Sequence, residues 1–411
     1  MRFFYLLFTL SLFSCGISKP TNYSFEVSKN SLHPQFLIYH LSEEYSELHF
    51  KVSTDELLYS RKNVSEPFSS KLSLKYIIYK KNQKEIIDSG SHLILDYYSE
   101  NKRTCLDTSF KIQFPINQLG NLDIEIVDLN RSKNFYGTLP INKSKLSNRQ
   151  FFLLKDANNK VVYNNYFSND QSIFIESNFN KRNLYATNNN ISFPLSPPPF
   201  SKSHQPIYPK KTSFSFLLPI ENQKFFFRFP KEGFIFFQLD TLSDEGFTLF
   251  NFHSNYPELK DPKLLIPPLR YLSTKQEYNQ LISNSNPKLA VDKYWLGKAA
   301  SKERARSLIR TYYSRVELAN KLFTCHLEGW KTDRGLISII FGPPTYISNN
   351  RNSEVWSYGD DNNINSLKFI FDKKTNPFSS NDFVLKRNYS YKNPWYRAVE
   401  SWRNGKVYMI Q

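Results

Sequence analysis

The sequence predicts a multidomain protein with an all-β N-terminal part followed by an α+β C-terminal domain. Three observations support this fold class. The chain has 411 residues, enough for two to four domains of ~100–200 residues each. Before residue 257, short runs of alternating apolar and polar residues recur without helical periodicity. Helix start signals and a long amphipathic stretch appear after that residue.

Composition excludes several classes of protein. A hydrophobic fraction of 40% excludes wholesale disorder, and three cysteines exclude a disulfide-stapled scaffold. The formal net charge of +17 leaves three partners open at this point: nucleic acid, an anionic lipid or glycan, or solvent around a lysine-rich surface.

The first residues have the anatomy of an export signal. Arg2 supplies a short positive region, and the apolar run Phe3–Phe13 is too short to span ~30 Å of hydrocarbon. The run ends in Leu12-Phe13-Ser14-Cys15-Gly16, which resembles a bacterial lipobox. We predict a lipoprotein signal peptide over residues 1–14 and a lipidated tether over residues 15–22. The alternative is an ordinary signal peptide that happens to contain a cysteine.

An acylated Cys15 would make the membrane a partner of the chain. Acyl chains contribute ~0.8 kcal/mol per buried CH₂, so a multiply acylated residue is held durably. Lys19 follows, and no acidic residue precedes Glu26, unlike surface-exported lipoproteins of Bacteroidota-type bacteria. We therefore expect a periplasm-facing position at the outer membrane, with the cell surface as the alternative. Removal of residues 1–14 takes away Arg2, so the formal net charge of the mature chain becomes +16. Because an exported protein is a poor candidate for binding nucleic acid, this charge favours an anionic lipid, a glycan or an acidic protein as the partner.

Residues 23–146 are predicted to form an immunoglobulin-like β-sandwich, because period-two alternation recurs at the spacing of such a module. The predicted strand cores are Phe36–Tyr39, Leu48–Val52, Leu72–Tyr79, Leu93–Leu95, Phe110–Phe114 and Leu122–Val127. Cys105 precedes one of them and has no Cys…Trp…Cys context, so we expect an unpaired thiol.

Residues 147–256 are predicted to form a second β-rich module. Its predicted strand cores are Phe151–Leu154, Val161–Tyr163, Ile173–Ile175, Phe214–Leu218, Phe225–Phe229 and Phe234–Phe237. Residues 194–211 between them are rich in Pro, Ser and Lys and form neither ladder nor helix. We interpret this stretch as a long surface loop that tethers or covers an edge, with partner binding as the alternative.

Residues 257–411 are predicted to form an α+β domain. Thr274 and Glu277 match a capping box, and Asn286-Pro287 starts a second helix. A long helix is predicted from about Ser301 to Cys325, with one apolar stripe and a flank of Lys and Arg. A solvated surface is the preferred interpretation of that flank, and a phosphate-binding face is the alternative.

A specific motif follows this helix. Glu328-Gly329-Trp330-Lys331-Thr332-Asp333-Arg334-Gly335 leads into the apolar run Leu336–Phe341, then Gly342-Pro343-Pro344, then Glu354-Val355-Trp356-Ser357-Tyr358. This order resembles the GWxTD domain found in proteins of Bacteroidota-type bacteria, over about Leu259 to Tyr389. The resemblance implies an apolar strand over Leu336–Phe341, a second strand containing Trp356, and an envelope lipoprotein, but no reaction. Thr345 departs from the Asp that is common in the family after the two prolines.

The motif also has a physical interpretation. We expect positive φ at Gly329 and Gly335 in a tight loop, and local backbone hydrogen bonds from Thr332 and Asp333. Arg334 is expected to pair with Asp333, Glu328 or Glu354. Trp330 and Trp356 would hold the loop over the sheet, and Gly342, Pro343 and Pro344 would stiffen the next turn. A structural role is preferred, with a binding or catalytic pocket as the alternative.

No catalytic constellation is apparent. Cys325-His326 suggest a thiol nucleophile and its base, but neighbours on a helix point about 100° apart. The sequence contains no H-E-x-x-H, paired C-x-x-C, Walker A or G-x-S-x-G motif. Asp360-Asp361-Asn362-Asn363 is interpreted as a hairpin turn rather than a cation site. We therefore expect no enzyme activity, cofactor or metal.

These observations together predict a non-enzymatic, lipid-anchored subunit or scaffold of an outer-membrane assembly, in export or envelope biogenesis. Its C-terminal domain would contact an envelope protein, and the final helix, with Trp395 and Trp402 on one face, would dock within the chain. The alternative is a glycan-binding or glycan-processing lipoprotein. That alternative requires Arg334, Glu354 and Trp356 to line a solvent-exposed pocket.

Overall fold

A computed structural model describes most of the chain beyond residue 31. The described residues are 32–81, 85–100, 103–131, 133–169, 171–179, 183–189, 193–202, 215–221, 224–229, 232–349, 352–359 and 366–409. The predicted signal peptide, Cys15, the tether and the Asp360-Asp361 turn lie outside them.

Within the described ranges, the first module contains seven antiparallel strands, in sheets ordered β1-β2-β5 and β4-β3-β6-β7. The strands are β1 (Gln35–His40), β2 (Tyr45–Ser53), β3 (Ser69–Lys80), β4 (Ile86–Tyr97), β5 (Cys105–Gln113), β6 (Leu119–Asp128) and β7 (Lys133–Asn142). This order matches an immunoglobulin-like sandwich, with the first, second and fifth strands facing the other four. The predicted sandwich is confirmed, and Cys105 is a free thiol as expected.

Strand β7 is missing from the sequence prediction. It contains Gly137 and Pro140, which both weaken a strand signal. It pairs with β6 alone, at the edge of its sheet, where a proline without an N–H is tolerated.

The part of the second module that the structure describes contains two four-stranded sheets, ordered β12-β13-β9-β8 and β11-β10-β14-β15. The strands are β8 (Leu153–Lys155), β9 (Ser172–Glu176), β10 (Tyr185–Asn189), β11 (Ser215–Leu217), β12 (Ile220–Glu221), β13 (Lys224–Arg228), β14 (Gly233–Gln238) and β15 (Phe247–Asn251). Val161 forms only an isolated bridge with Lys155, so the strand predicted there is wrong.

In the C-terminal part, the described residues form six α-helices and one sheet around a core rich in tryptophan, tyrosine and phenylalanine. The helices are α1 (Pro262–Leu265), α2 (Lys275–Ser283), α3 (Pro287–Leu296), α4 (Lys302–Phe323), α5 (Asp333–Phe341) and α6 (Lys392–Arg403). The sheet is ordered β16 (Tyr346–Asn349), β17 (Ser353–Tyr358), β18 (Leu367–Lys373) and β19 (Phe383–Leu385). The capping box at Thr274 and Glu277 is confirmed, and the Nε1–H of Trp402 donates to the Ile340 carbonyl at 3.0 Å, so α6 docks within the chain.

The apolar run Leu336–Phe341 is helical, so the strand predicted there is wrong. It lies in α5, in which all nine residues are buried. An apolar run of six residues is too short to separate a helical period from a strand period, so a buried helix looks the same there as a buried strand. The predicted strand around Trp356 is confirmed as β17.

None of the helices in the described part of the chain has the length and apolar character that a bilayer crossing requires.

Candidate functional site

The motif residues Gly329-Trp330-Lys331-Thr332-Asp333 lie between the end of α4 and the first turn of α5. Gly329–Lys331 form one turn of 3₁₀-helix, and Thr332 is the N-cap of α5. The Thr332 hydroxyl accepts from the Gly335 N–H at 3.0 Å and donates to the Gly329 carbonyl at 2.7 Å. The expected local hydrogen bonds of Thr332 are confirmed, and they fix the start of a helix.

The two motif glycines are required by close backbone approach. Neither has positive φ, so that expectation is wrong. A Cβ at Gly329 would lie 1.9 Å from the Ala319 carbonyl oxygen, and one at Gly335 would lie 2.0 Å from the Gly329 carbonyl oxygen. Distances under 3 Å to backbone atoms leave no room for a side chain, so glycine lets the motif pack directly on α4.

Gly342 does have positive φ, at 86°, and ends α5 ahead of Pro343 and Pro344. The Arg315 guanidinium from α4 caps this end of the helix, because its Nη1 donates to the Ile339 carbonyl at 3.1 Å. Burial lowers the pKa of Arg315 to about 10. A cation at a helix C-terminus is favourable, so this member of the basic flank stabilises the fold.

Trp330 and Trp356 are buried on two sides of the motif. The Trp330 N–H donates to Asn320 Oδ1 at 3.1 Å, and the Tyr271 hydroxyl donates to the Trp330 carbonyl at 3.0 Å. Trp356 is 0% exposed and packs between Phe323 and Phe371.

Asp333 pairs with Arg387, a partner that sequence reasoning missed. Arg387 Nη1 donates to Asp333 Oδ2 at 3.0 Å, and its Nη2 donates to Asp333 Oδ1. The Leu385 N–H donates to the same carboxylate at 2.7 Å. The local role expected for Asp333 is therefore wrong, since its carboxylate holds α5 against β19.

Arg334 is enclosed by the sheet and the end of α4. It donates to Glu354 at 3.1 Å and to the Asn381 carbonyl at 2.9 Å, so Glu354 is its ion-pair partner among the three expected. Phe323 and Phe383 lie against its guanidinium at 4.9 and 4.2 Å. Burial lowers its pKa, and the Glu354 charge opposes that shift. Arg334 is only 5% exposed and Trp356 is fully buried, so the solvent-exposed pocket required by the glycan alternative is not formed by these side chains.

Tyr256 and Asn320 accept hydrogen bonds from the backbone N–H groups of the motif. The Gly329 N–H donates to the Tyr256 hydroxyl at 3.1 Å, and Asn320 Nδ2 donates to the Pro257 carbonyl at 3.1 Å. Burial raises the pKa of Tyr256 well above its usual value. Asn320 occupies a buried position of α4, and a polar residue among the apolar ones is the signal that could have revealed it.

The Pro-rich segment covers the motif from outside. The Ser196 hydroxyl donates to the Lys331 carbonyl at 2.8 Å, Arg387 Nη2 donates to the Pro197 carbonyl at 3.1 Å, and the Asn388 N–H donates to the Pro199 carbonyl at 3.2 Å. Residues 193–202 therefore lie on the C-terminal part and are no free surface loop. Residues 203–214 are outside the described part.

Two cavities adjoin this segment. A small one of about 60 Å³ is lined by His326, Asp333, Asp382 and the Phe193-Pro194 end of the segment. A groove of about 520 Å³ runs between Pro197-Pro198 and helix α6.

Cys325, His326 and Asp382 lie close together, and the last two line the small cavity. Helix α4 ends at Phe323, so the helical geometry assumed for Cys325 and His326 does not apply. One ligand atom from each of the three residues lies within 4.8 Å of the other two, and all three residues are buried. Burial raises the pKa of the Cys325 thiol to about 12, so without an ion it is neutral.

The family comparison covers this region. The sequence model of the GWxTD domain matches residues 233–404. This part of the chain is a GWxTD domain. The matched range extends upstream of Pro257 to include β14 and β15, and Phe378 of the GWxTD domain packs on Phe234 and Phe236 of β14.

Similar solved structures include two structures of β-glucuronidase from Bacteroides uniformis and one of a glycosyl hydrolase family 2 member of Bacteroides cellulosilyticus. Beta-glucuronidase 2 aligns at 12% identity and a TM-score of 0.18, over 35% of this chain and 15% of that one. The second B. uniformis structure aligns at 12% identity and a TM-score of 0.19, over 34% of this chain and 14% of that one. The B. cellulosilyticus protein aligns at 10% identity and a TM-score of 0.18, over 31% of this chain and 16% of that one. The chain thus spans about a sixth of the length of these enzymes or less, and such TM-scores support no inference about fold or activity. No curated protein matches the chain.

Proposed function

We propose that this chain is a non-enzymatic, lipid-anchored subunit of an outer-membrane protein assembly, in which the GWxTD domain docks a protein partner. The groove on the GWxTD domain is the observation that carries the proposal. Its walls contain Trp395, Tyr396 and Val399 from α6 and Pro197 and Pro198 from the Pro-rich segment. An open apolar channel with aromatic walls suits an extended segment of another protein.

Charged groups of both signs border the groove. Arg270, Glu400 and Arg403 are among its lining residues. Arg403 is oriented by Glu277, to which its Nη1 donates at 2.7 Å. A polar rim around an apolar centre is the usual composition of a protein interface, and the fixed charges would set the register of the bound segment.

The motif supports docking indirectly, because its interactions make the groove walls rigid. The ion pair of Asp333 with Arg387 and the hydrogen bonds from Ser196, Arg387 and Asn388 hold the Pro-rich wall against α5. A preformed wall loses little conformational entropy when a partner binds.

The membrane position in this proposal depends on Cys15. The lipobox and the short apolar run before it favour a lipid anchor, and the periplasmic face of the outer membrane is preferred to the cell surface. Two β-modules then place the GWxTD domain at a distance from the bilayer.

Site-specific photo-crosslinking in native membranes tests the docking role. A photoreactive residue at Val399, inside the groove, should give one defined crosslinked protein, whereas the same residue at Tyr389, which is 71% exposed and outside the groove, should not. Tyr396→Ala should reduce the Val399 crosslink, and Tyr389→Ala should leave it unchanged. Recovery of the chain as a lone monomer in mild detergent, with equal crosslinking at both positions, contradicts the proposal.

A further inference from the structure

We infer that Cys325, His326 and Asp382 form a binding site for a divalent transition-metal ion of the zinc type. The three side chains come from two separate segments of the GWxTD domain and are 0%, 2% and 6% exposed. A thiol, an imidazole and a carboxylate together make a ligand set that zinc takes in proteins, and the soft sulfur disfavours Mg²⁺ and Ca²⁺.

The spacing of the ligand atoms is close to that of a metal site. They all lie within 4.8 Å of one another. Tetrahedral zinc, with bonds of about 2.0–2.3 Å, would place its ligand atoms roughly 3.5 Å apart. The ligand atoms therefore have to approach one another by at most roughly 1.3 Å to reach coordination distance.

The local backbone orients these ligands. After α4 ends at Phe323, the Cys325 N–H donates to the Leu327 carbonyl at 3.1 Å, which curls the Cys325-His326 segment. Asn376 Nδ2 donates to Asp382 Oδ2 at 2.8 Å and fixes that carboxylate. Outer hydrogen bonds of this kind orient metal ligands and raise metal affinity.

The charges around the cluster favour a cation. The Arg334 guanidinium is the positive group that Glu354 and Asp382 both act on, so one positive charge faces two carboxylates. A divalent cation bound beside Asp382 would offset the negative charge of this carboxylate, and a compensated buried charge costs less than an uncompensated one.

The cavity supplies the fourth position. It has a volume of about 60 Å³ and is lined by both His326 and Asp382. One water needs about 10–15 Å³ of such space, so a water ligand fits. Three protein ligands and one water is the composition of an open zinc site, and Phe193 and Pro194 of the Pro-rich segment lie over it.

Metal binding by the full chain tests this inference. The protein is purified through a tag that contains no histidine, stripped with a chelator, and titrated with Zn²⁺ and Co²⁺. We expect one Zn²⁺ per chain, and a thiolate-to-Co²⁺ charge-transfer absorption that disappears in Cys325→Ser. Cys105→Ser and Cys15→Ala, which remove the other two cysteines, should both keep the absorption.

Two further variants cover the case in which Cys325→Ser fails to fold. His326→Gln and Asp382→Asn should weaken Zn²⁺ binding by more than about 100-fold, beyond the effect of losing an outer hydrogen bond. Zn²⁺ should raise the Tm of the stripped protein and of His33→Gln, but not that of His326→Gln. Absence of stoichiometric Zn²⁺, or a Co²⁺ spectrum that survives Cys325→Ser, overturns the inference.

Discussion

Asp333 and Arg387 form a buried two-point ion pair, although 54 residues separate them in the chain. The side chain of Arg387 is 1% exposed and that of Asp333 is 4% exposed. The motif aspartate therefore acts across the domain, joining the first turn of α5 to the segment after β19 and, through Arg387, to the Pro-rich segment.

Asp333→Ala should lower the free energy of unfolding by about 3–5 kcal/mol, because it leaves the Arg387 charge buried without a partner. Asp372→Ala is the matched control, since Asp372 pairs with the neighbouring Lys386 at the surface. An exposed pair contributes less than about 1 kcal/mol, so the control should stay close to the wild type. Urea denaturation followed by tryptophan fluorescence measures both, and equal shifts would refute a structural role for Asp333.

Gly329→Ala should destabilise the domain by about 1–3 kcal/mol or more, because the new Cβ would lie 1.9 Å from the Ala319 carbonyl oxygen and force α4 away from the motif. Gly297→Ala is the control, since its Cβ would lie 3.3 Å from the nearest atom, at a helix end with negative φ. Thermal unfolding of both variants checks this, and a Gly329→Ala protein with wild-type Tm would contradict the close packing.

Thr332→Ala should cost about 1–2 kcal/mol, because it removes the N-cap acceptor of α5 and the hydrogen bond to the Gly329 carbonyl. Thr332→Ser keeps the hydroxyl and should recover most of that loss. The comparison by chemical denaturation separates the hydroxyl from the methyl group. A serine variant as unstable as the alanine variant would show that the methyl group carries the effect.

Strands and helices that have a clear alternation or capping pattern in their own sequence are predicted correctly. The strand cores of the first sandwich follow from period-two alternation, and α2 and α3 follow from the caps at Thr274 and Asn286. Helix α5 is not predicted, because its apolar run of six residues is too short to separate a helical period from a strand period.

The candidate site was less predictable, because its contacts are remote in sequence. Arg387 lies 54 residues from Asp333, and Asn381 lies 47 residues from Arg334. Arginine and asparagine are usually found at the surface, so neither residue stands out in the sequence as a buried partner. Asp382 approaches Cys325 and His326 because α4 ends at Phe323 and the side-chain amide of the adjacent Asn381 donates to the Leu322 and Thr324 carbonyls. Neither the partners of the motif nor the approach of Asp382 to Cys325 and His326 follows from residue spacing in the sequence.

Cys15→Ala should abolish palmitate labelling of the chain in cells and release the protein from the membrane fraction, because it removes the residue that the lipobox would acylate. Cys105→Ser is the control, because it removes another cysteine in the middle of the first sandwich and should keep the label. Labelling that persists in Cys15→Ala would instead favour an ordinary signal peptide.

Acidification should weaken the first sandwich through His40. His40 is fully buried, and burial, with a contribution from the nearby Lys143 ammonium, lowers its pKa to about 4 from the usual 6.5. Its Nε2 bonds to the Asn142 carbonyl at 2.9 Å, and its ring packs edge-on against Phe151 at the start of the second module. Between pH 6.5 and 4 the unfolded chain therefore binds a proton that the folded chain does not, so stability is lost as the pH falls through this range.

From pH 7 to 5 this linkage amounts to about 2 kcal/mol, at 1.36 kcal/mol per pH unit. Denaturant titrations at both values should show the loss in the wild type and a smaller one in His40→Gln, because the variant has no imidazole to protonate. Between pH 7 and 8 the two proteins should change nearly in parallel, since the imidazole is neutral in the folded state and, with its usual pKa of 6.5, mostly neutral in the unfolded state. A variant that loses as much stability as the wild type between pH 7 and 5 would show that other groups cause the acid sensitivity.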